Sequence, residues 1–381
     1  MKTLQEKLSP SKTPKRILSL DGGGVRGTLT LGLLKKIETL LREKYNNPIL
    51  VLSEYYDLIG GTSTGAIIAS GLAIGKTVDE IIALYMELGQ KIFGEGMKYK
   101  FLKRDWTGFR AIFNENYDSE NLENYLQNVF GDIRIGDNEK IKCGLAINAK
   151  RADTNSLWTM TNNPGGIYTK ANSHLKLWEL CRASSAAPYY FKPKMIELRR
   201  RTGEPFYGTF IDGGVSLANN PAWFMFLVAT VPSFGFNWLT GMDNLHITSL
   251  GTGNGHKKED PAQIEKLKAL GWAPKLSDLF MSDALEMNQV LLQLLGHNLS
   301  DAMIIDSQFG DLKDVHAIQE KLFSFSRHNV KLTQPNLSEL DFNFNADKLA
   351  SLPEMDHFEN MDDLLKIGLA YAEKNINISH L

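Results

Sequence analysis

Cysteine is scarce in this chain of 381 residues, which contains only Cys143 and Cys181. Two thiols in apolar segments cannot build a disulfide framework, so the sequence predicts a reducing, cytoplasmic compartment. An excess of one charge is also lacking, since 42 basic and 44 acidic residues leave a net charge of -2. No overall field therefore draws the chain to nucleic acid or to an anionic membrane, and any such attraction has to be local.

Long apolar runs are missing as well. The longest, Ala222 to Val231, lies between Pro221 and Pro232 and is about half as long as the ~20-residue helix that spans a bilayer. The polar first segment, residues 1–16, lacks the apolar core of a signal peptide. We therefore expect a soluble protein that is peripheral at membranes when it acts.

Glycine, by contrast, is abundant and follows predicted strands. A strand at 16–20 leads through the glycine loop 21–27 into a helix at 28–45. A second strand at 55–59 leads into a helix at 66–75. Two such units predict an α/β fold with functional loops at one sheet edge. Further strands are predicted at 142–150, 156–161, 207–211 and 244–250, and further helices at 78–91, 119–130, 175–184 and 275–295.

A serine lies in the turn after the second strand, in the G-x-S-x-G pattern Gly61-Thr62-Ser63-Thr64-Gly65. Gly61 and Gly65 permit a sharp turn and let a substrate approach Ser63 closely. The amides at the start of the following helix face any anion that forms there. The pattern predicts Ser63 as a nucleophile, although a short motif of this kind also occurs by chance.

The glycine loop matches G-x-G-x-x-G through Gly22, Gly24 and Gly27. A dinucleotide-binding site would also need an acidic residue at the end of a second strand about 20 residues later. Glu43 lies within the first predicted helix and Asp57 comes too late. The loop therefore favours an oxyanion hole, in which the N–H groups of Gly22, Gly23 and Gly24 stabilise an alkoxide. A merely tight strand–helix connection is the structural alternative.

Asp212 is the candidate base, because it ends an apolar strand and precedes Gly213 and Gly214, which allow close approach of another loop. A carboxylate bonded to a serine is a weak base at its ordinary pKa, so burial would have to raise that pKa. An aspartate is also common in glycine turns for structural reasons alone.

A Ser-His-Asp esterase of the α/β-hydrolase type is a competing interpretation, because its triad follows the order Ser, Asp, His along the chain. Three histidines downstream of Asp212 could complete such a triad: His246, His256 and His297. None of them lies in a local signature, and a lone histidine is more often a packing or surface residue. The triad therefore stays open as the minor alternative.

Together, the glycine loop 21–27, the turn 61–65 and the segment 212–214 resemble the patatin-like phospholipase family. Supporting segments are 183–188, 219–221 and 250–253. The resemblance implies a three-layer α/β/α fold with a central, largely parallel sheet. It also implies a Ser63-Asp212 dyad without histidine, an oxyanion hole in the glycine loop, and hydrolysis of acyl esters of phospholipids or related lipids without metal or other cofactor.

The resemblance also suggests an organisation along the chain. We expect a flexible N-terminus at 1–15, a catalytic domain at 16–255, and a mainly helical C-terminal region at 256–381 that packs on the same domain as a cap or lid. Some bacterial members are nucleotide-activated effectors, so a phospholipase of bacterial defence triggered by a cyclic-nucleotide-type ligand is the alternative function. The expected partners are a lipid substrate, a transient membrane surface and, if the chain is oligomeric, a second copy of itself, but not nucleic acid.

Several cationic or aromatic segments have two possible interpretations. Arg26 could bind a lipid phosphate or support the glycine loop. The stretches 93–113 and 223–239 are rich in aromatic residues, which suits an interfacial lid but also a core or dimer surface. The run Arg199-Arg200-Arg201 is most simply a solvated hairpin tip, and attraction of anionic headgroups is the minor alternative.

Overall fold

The computed structural model of the chain describes residues 2–10, 14–94, 117–188, 190–255, 260–301, 303–312 and 314–381. Within these ranges, nine strands form one mixed sheet with helices on both faces. The strands are β1 (Lys15–Leu20), β2 (Leu58–Thr62), β3 (Gly144–Arg151), β4 (Ser156–Thr161), β5 (Lys194–Arg199), β6 (Pro205–Asp212), β7 (Leu245–Leu250), β8 (Gly296–Asn298) and β9 (Phe323–His328).

The α-helices differ widely in length, and the longest lies in the last third of the chain. They are α1 (Leu4–Leu8), α2 (Gly27–Lys44), α3 (Leu52–Tyr55), α4 (Thr64–Ala73), α5 (Val78–Gly89), α6 (Ser119–Phe130), α7 (Thr169–Asn172), α8 (Leu177–Ser184), α9 (Ala222–Thr230), α10 (Pro261–Glu265), α11 (Ala269–Leu295), α12 (Gln334–Ser338), α13 (Ala346–Ser351) and α14 (Met361–Asn375). Among the helices of the described segments, none is long and apolar enough to cross a membrane.

The sheet is mostly parallel. Its strand order is β5-β6-β3-β2-β1-β7-β9-β8, and β4 pairs with the other edge of β3. The pairs that link β3, β2, β1, β7, β9 and β8 are all parallel. The pairs that β4, β5 and β6 make are antiparallel.

The central strand β1 contributes to the core on both faces of the sheet. Because successive side chains of a strand point to opposite faces, Leu18 and Leu20 enter the cluster that contains the buried residues of α2, α4 and α14. Ile17 enters a second cluster with buried residues of α9. Helices thus cover a buried sheet on both sides, which confirms the predicted three-layer α/β/α fold.

The strand–loop–helix units have the predicted order, with shifted boundaries. β2 begins at Leu58, later than the predicted start at residue 55, because 52–55 forms the short helix α3, whose turn closes when the Tyr56 N–H donates to the Leu52 carbonyl (3.0 Å). The strands β5, β8 and β9 were not predicted. β5 ends at Arg199, the first residue of the arginine run 199–201, so this run does lie at the turn of a hairpin with β6.

The C-terminal region is part of the same sheet. β9 pairs with β7 and β8 pairs with β9, so segment 256–381 supplies strands as well as the expected helices. The helix α14 packs on α2. A Cβ atom on Gly32 of α2 would lie 2.7 Å from the Leu369 nitrogen, and one on Gly368 would collide with the Leu29 carbonyl oxygen. Glycine on each helix therefore allows the two backbones to touch.

We predict that Gly368→Ala destabilises the protein, because the added methyl group meets rigid backbone rather than a movable side chain. The free energy of unfolding should fall by about 2 kcal/mol, measured by urea denaturation. The matched control is Gly71→Ala in α4, whose Cβ would meet the side chains of Ile81 and Lys76 rather than backbone. This control should leave stability unchanged or raise it by up to ~1 kcal/mol. Equal effects of the two substitutions would contradict the close helix contact.

Candidate active site

One edge of β3 is shared by two strands that meet end to end. β2 runs parallel to β3 and its last pair is Thr62 with Asn148. β6 runs antiparallel to β3 and its last residue, Asp212, pairs with Ala149, the next residue along. Because the two strands approach from opposite directions, the residue after β2 and the last residue of β6 are brought together. These residues are Ser63 and Asp212.

Ser63 occupies a strained turn between β2 and α4. Its backbone has φ 56° and ψ -123°, a combination that residues other than glycine seldom adopt. A Cβ atom on Gly61 would collide with the Gly65 carbonyl group, and one on Gly65 would collide with the Leu20 carbonyl oxygen. The turn therefore requires glycine on both sides of the serine, as the G-x-S-x-G pattern predicts.

A short hydrogen bond joins the two candidate catalytic side chains. The half-buried Ser63 hydroxyl donates to Asp212 Oδ2 at 2.6 Å, and the Gly214 N–H donates to Asp212 Oδ1 at 2.7 Å. Burial raises the pKa of Asp212 from 3.8 to about 6, although both hydrogen bonds favour the ionised form. A Cβ atom on Gly213 would lie 2.8 Å from the Asn148 oxygen, which explains the glycine after the aspartate. Asp212 is thus a carboxylate with increased basicity that already accepts a hydrogen bond from Ser63.

A further pair of hydrogen bonds fixes the backbone of Ser63. The Ser63 N–H donates to Ser184 Oγ at 2.8 Å, and the Ser184 hydroxyl donates to the Asn148 carbonyl at 2.6 Å. Ser184 lies at the end of α8, in the segment 183–188 that supports the family resemblance. This serine therefore ties the turn to β3, a role that the sequence did not reveal.

The glycine loop lies directly against Ser63, because a Cβ atom on Gly22 would be 3.3 Å from Ser63 Cβ. The three amides predicted as oxyanion donors are not equivalent. The Gly22 N–H already donates to the Asn219 carbonyl at 3.0 Å. Among the described residues, no hydrogen-bond acceptor is recorded for the N–H groups of Gly23 and Gly24. The Gly22 amide is therefore already engaged, and the amides of Gly23 and Gly24 are the remaining candidates among the three predicted oxyanion donors.

Arg26 and Gly27 hold the loop in place. Arg26 donates from Nε to the Gly23 carbonyl at 3.3 Å and from Nη1 to the Gly253 carbonyl at 3.0 Å. A Cβ atom on Gly27 would collide with the Thr64 side chain at the start of α4. These contacts fit the loop-support alternative for Arg26, and binding of a lipid phosphate stays a prediction.

A buried ion pair anchors the first residue of the glycine loop, Asp21. Arg327 on β9 donates from Nη1 to Asp21 Oδ1 at 2.8 Å and from Nη2 to Asp21 Oδ2 at 2.5 Å. Both side chains are 3% exposed. Arg327 Nη1 also donates to Ser249 Oγ at 2.9 Å. An aspartate at the end of an apolar strand is expected to be buried and to require a cationic partner. That partner, Arg327, lies 306 residues away in sequence, so the sequence analysis did not identify it.

The two candidate triad histidines that the structure describes, His246 and His297, do not lie near Ser63. His246 pairs in register with Arg16 on β1, whereas Leu20, four residues further along, pairs with Gly61 beside the serine turn. That separation is about 13 Å along the strand. His246 is bonded to Ser324 and Thr248, and burial lowers its pKa to about 4.

Of the other two candidate histidines, only His297 lies within the described residues. His297 is exposed and pairs in register with Ser324, the partner of His246, so it belongs to the same distant end of the sheet. His256 lies outside the described residues. Neither described histidine is brought to the serine turn.

The two aromatic stretches have different outcomes. In the stretch 223–239, Phe226, Phe236 and Trp238 are buried in the second core cluster around α9. These rings therefore belong to the core rather than to an exposed lid. The stretch 93–113 lies outside the described residues beyond residue 94.

Comparison with known proteins gives a consistent family. A family model described as "Patatin-like phospholipase" matches residues 18–226. Patatin-15 from Solanum tuberosum is 28% identical over 274 residues, which cover 68% of this chain and 65% of that protein. Patatin-T5 from the same plant is 28% identical over 255 residues, which cover 62% of this chain and 60% of that protein. The chain thus spans less than two thirds of the length of these relatives.

Solved structures resemble the chain only distantly. VipD from Legionella pneumophila is 12% identical, and the alignment covers 94% of this chain and 67% of that chain with a TM-score of 0.31. ExoU from Pseudomonas aeruginosa, solved in complex with SpcU, is 15% identical over 48% of this chain and 40% of that chain, with a TM-score of 0.25.

We predict that Arg327→Met strongly destabilises the fold, because it leaves the buried Asp21 carboxylate without its cation. Breaking a buried pair in this way costs about 3–5 kcal/mol of unfolding free energy, measurable by denaturant titration. The double variant Asp21→Asn/Arg327→Met removes the orphaned charge and should recover part of that loss. If the single and double variants were equally unstable, the ion pair would not be the reason for the loss.

Proposed function

This chain belongs to the patatin-like phospholipase family, and we propose that it is a serine hydrolase that cleaves acyl esters of phospholipids or related lipids. The observation that carries the proposal is the 2.6 Å hydrogen bond between Ser63 and a buried Asp212. The glycine amides beside it, which have no recorded acceptor among the described residues, supply the second requirement of acyl transfer. The family and the local geometry support the same chemistry.

In the proposed mechanism, Ser63 Oγ attacks the ester carbonyl carbon while Asp212 Oδ2 accepts the hydroxyl proton. The negative charge that develops on the carbonyl oxygen is stabilised by the Gly23 and Gly24 amides. When the tetrahedral intermediate collapses, the ester C–O bond breaks and Asp212 returns its proton to the departing alcohol. A water molecule, deprotonated by Asp212, then hydrolyses the acyl-enzyme and restores the Ser63 hydroxyl.

Asp212 suits the role of general base without a histidine. An ordinary aspartate is too weak a base, but burial raises the pKa of Asp212 to about 6, which is closer to the neutral pH at which a base works best. The carboxylate is still mostly ionised at pH 7. Its Oδ1 atom is held by the Gly214 N–H, so Oδ2 keeps its orientation towards Ser63.

Four further statements about the function stay predictions. These are activation by a cyclic-nucleotide-type ligand, the cytoplasmic location, contact with a membrane surface and a homodimer. The acyl chain and headgroup preferences depend in part on whatever covers Ser63. We propose no lid, because the stretch 93–113 lies almost wholly outside the described residues.

The decisive test is hydrolysis of short-chain p-nitrophenyl esters and of phospholipid vesicles. Ser63→Ala and Asp212→Asn should each lower kcat by at least ~10³-fold, because the two side chains act as a unit. A fluorophosphonate should label the wild type at Ser63 but leave Ser63→Ala unmodified. His297→Ala, at the exposed distant end of the sheet, is the control and should keep wild-type activity. Undiminished hydrolysis by folded Ser63→Ala would refute the proposal.

The pH profile should report the titration of Asp212. Since a general base acts only when it is ionised, kcat/KM should rise with pH and level off above the raised pKa of about 6. Below that pKa, kcat/KM should fall about tenfold for each pH unit. An ordinary aspartate, with a pKa of 3.8, would instead give a flat profile from pH 5 upwards. Profiles measured with a soluble p-nitrophenyl ester avoid effects of pH on lipid vesicles.

A further inference from the structure

A cavity of about 770 Å³ lies between β4, the β5–β6 hairpin and the segment around α7. This volume is within the range of about 300–1,000 Å³ that is typical of small-molecule sites. Its walls are largely apolar and include Leu157, Trp158, Met160, Leu175, Phe206 and Phe234. None of the described lining residues belongs to the Ser63 site or to the glycine loop.

The rim of this cavity is strongly cationic. It includes Arg199, Arg200 and Arg201, opposed by the single carboxylate of Glu204. Arg200 is the arginine next to that carboxylate, with 3.9 Å between Nε and the Glu204 oxygen, and its guanidinium also stacks over Phe206 at 5.5 Å. Among the described residues, no ion pair is recorded for Arg199 or Arg201. Two guanidinium groups are therefore available to an anion at the mouth of an apolar cavity.

The cavity wall is held by contacts that do not need a ligand. Trp158 packs edge-on against Phe210 at 5.6 Å and lies under the Arg151 guanidinium at 5.2 Å. The buried Asn172 accepts a hydrogen bond from the Arg199 backbone N–H at 3.2 Å, which fixes the end of β5. The cavity is thus preformed, which lowers the entropic cost of binding.

We propose that this cavity binds a long-chain fatty acid, with its chain against Trp158 and Met160 and its carboxylate at Arg199 or Arg201. A small polar anion would leave the apolar wall exposed to water, and a neutral lipid would make no charge-assisted hydrogen bond with the exposed guanidinium groups. A single-chain carboxylate satisfies both parts of the site. The inference rests on the lining residues alone and does not depend on the proposed hydrolase activity.

The test uses dibromostearate, because its bromine atoms quench tryptophan fluorescence only at short range. We expect saturable quenching below the micellar concentration in the wild type, and loss of most of that quenching in Trp158→Phe. Arg199→Gln/Arg201→Gln should weaken binding about 10- to 100-fold, since hydrogen bonds to a charged group are lost. The matched control Lys266→Gln/Lys268→Gln removes the same charge from an exposed site and should bind as the wild type does.

Two further ligands separate the contributions of charge and chain. Dibromostearyl alcohol should bind the wild type and Arg199→Gln/Arg201→Gln equally, because it has no carboxylate. In competition with dibromostearate, myristate and decanoate should bind more weakly than stearate, by roughly tenfold for each two methylene groups removed. Both series use intact full-length protein.

Three results would overturn the proposal. The first is quenching that persists in Trp158→Phe. The second is equal quenching by the free acid in the wild type, in Arg199→Gln/Arg201→Gln and in the lysine control. The third is the absence of saturable quenching by the free acid. Vesicles of brominated phosphatidylglycerol distinguish a membrane surface from a fatty acid. If only these vesicles quenched Trp158, the rim would be a membrane contact and the fatty-acid site would be refuted.

Discussion

The end-to-end meeting of β2 and β6 on one edge of β3 is the constraint on which the candidate site depends. Neighbouring pairs, Thr62 with Asn148 and Asp212 with Ala149, bring the two strand ends together. Backbone hydrogen bonds set this arrangement, so the separation of Ser63 and Asp212 does not depend on flexible side chains. The proposed nucleophile and base are therefore preorganised, which is what catalysis by positioning requires.

This arrangement has an energetic cost that the surrounding fold offsets. Ser63 keeps a positive φ, and Asp212 is buried with a raised pKa. Because the folded state binds the Asp212 proton more tightly than the unfolded state does, this carboxylate lowers stability as the pH rises from about 4 towards neutrality. The core on both faces of the sheet supplies the compensating stability. A strained backbone and a buried carboxylate with a raised pKa occur side by side at this turn, a combination that is typical of functional sites.

The glycine loop is held from outside the segment 18–226 that the family model matches. Arg327 on β9 binds Asp21, the Gly253 carbonyl accepts from Arg26, and the Met355 carbonyl accepts from the Val25 N–H at 2.9 Å. The last third of the chain thus completes the sheet and fixes the proposed oxyanion hole. It does so through strand pairing and through contacts with the glycine loop.

The local features could be predicted from the sequence: the strand–glycine–helix units, the turn at Ser63 and the strand end at Asp212. Such features depend on residues close together in the chain, as Gly61 and Gly65 around Ser63 illustrate, and a family resemblance linked them. The folded structure was needed to show that the Gly22 amide is occupied, that Arg327 is the partner of Asp21, and that His246 lies at the far end of the sheet. The cavity between β4 and the β5–β6 hairpin likewise exists only in the folded chain. These features depend on contacts between segments far apart in sequence. Strand register and packing determine such contacts, and no local pattern encodes either of them.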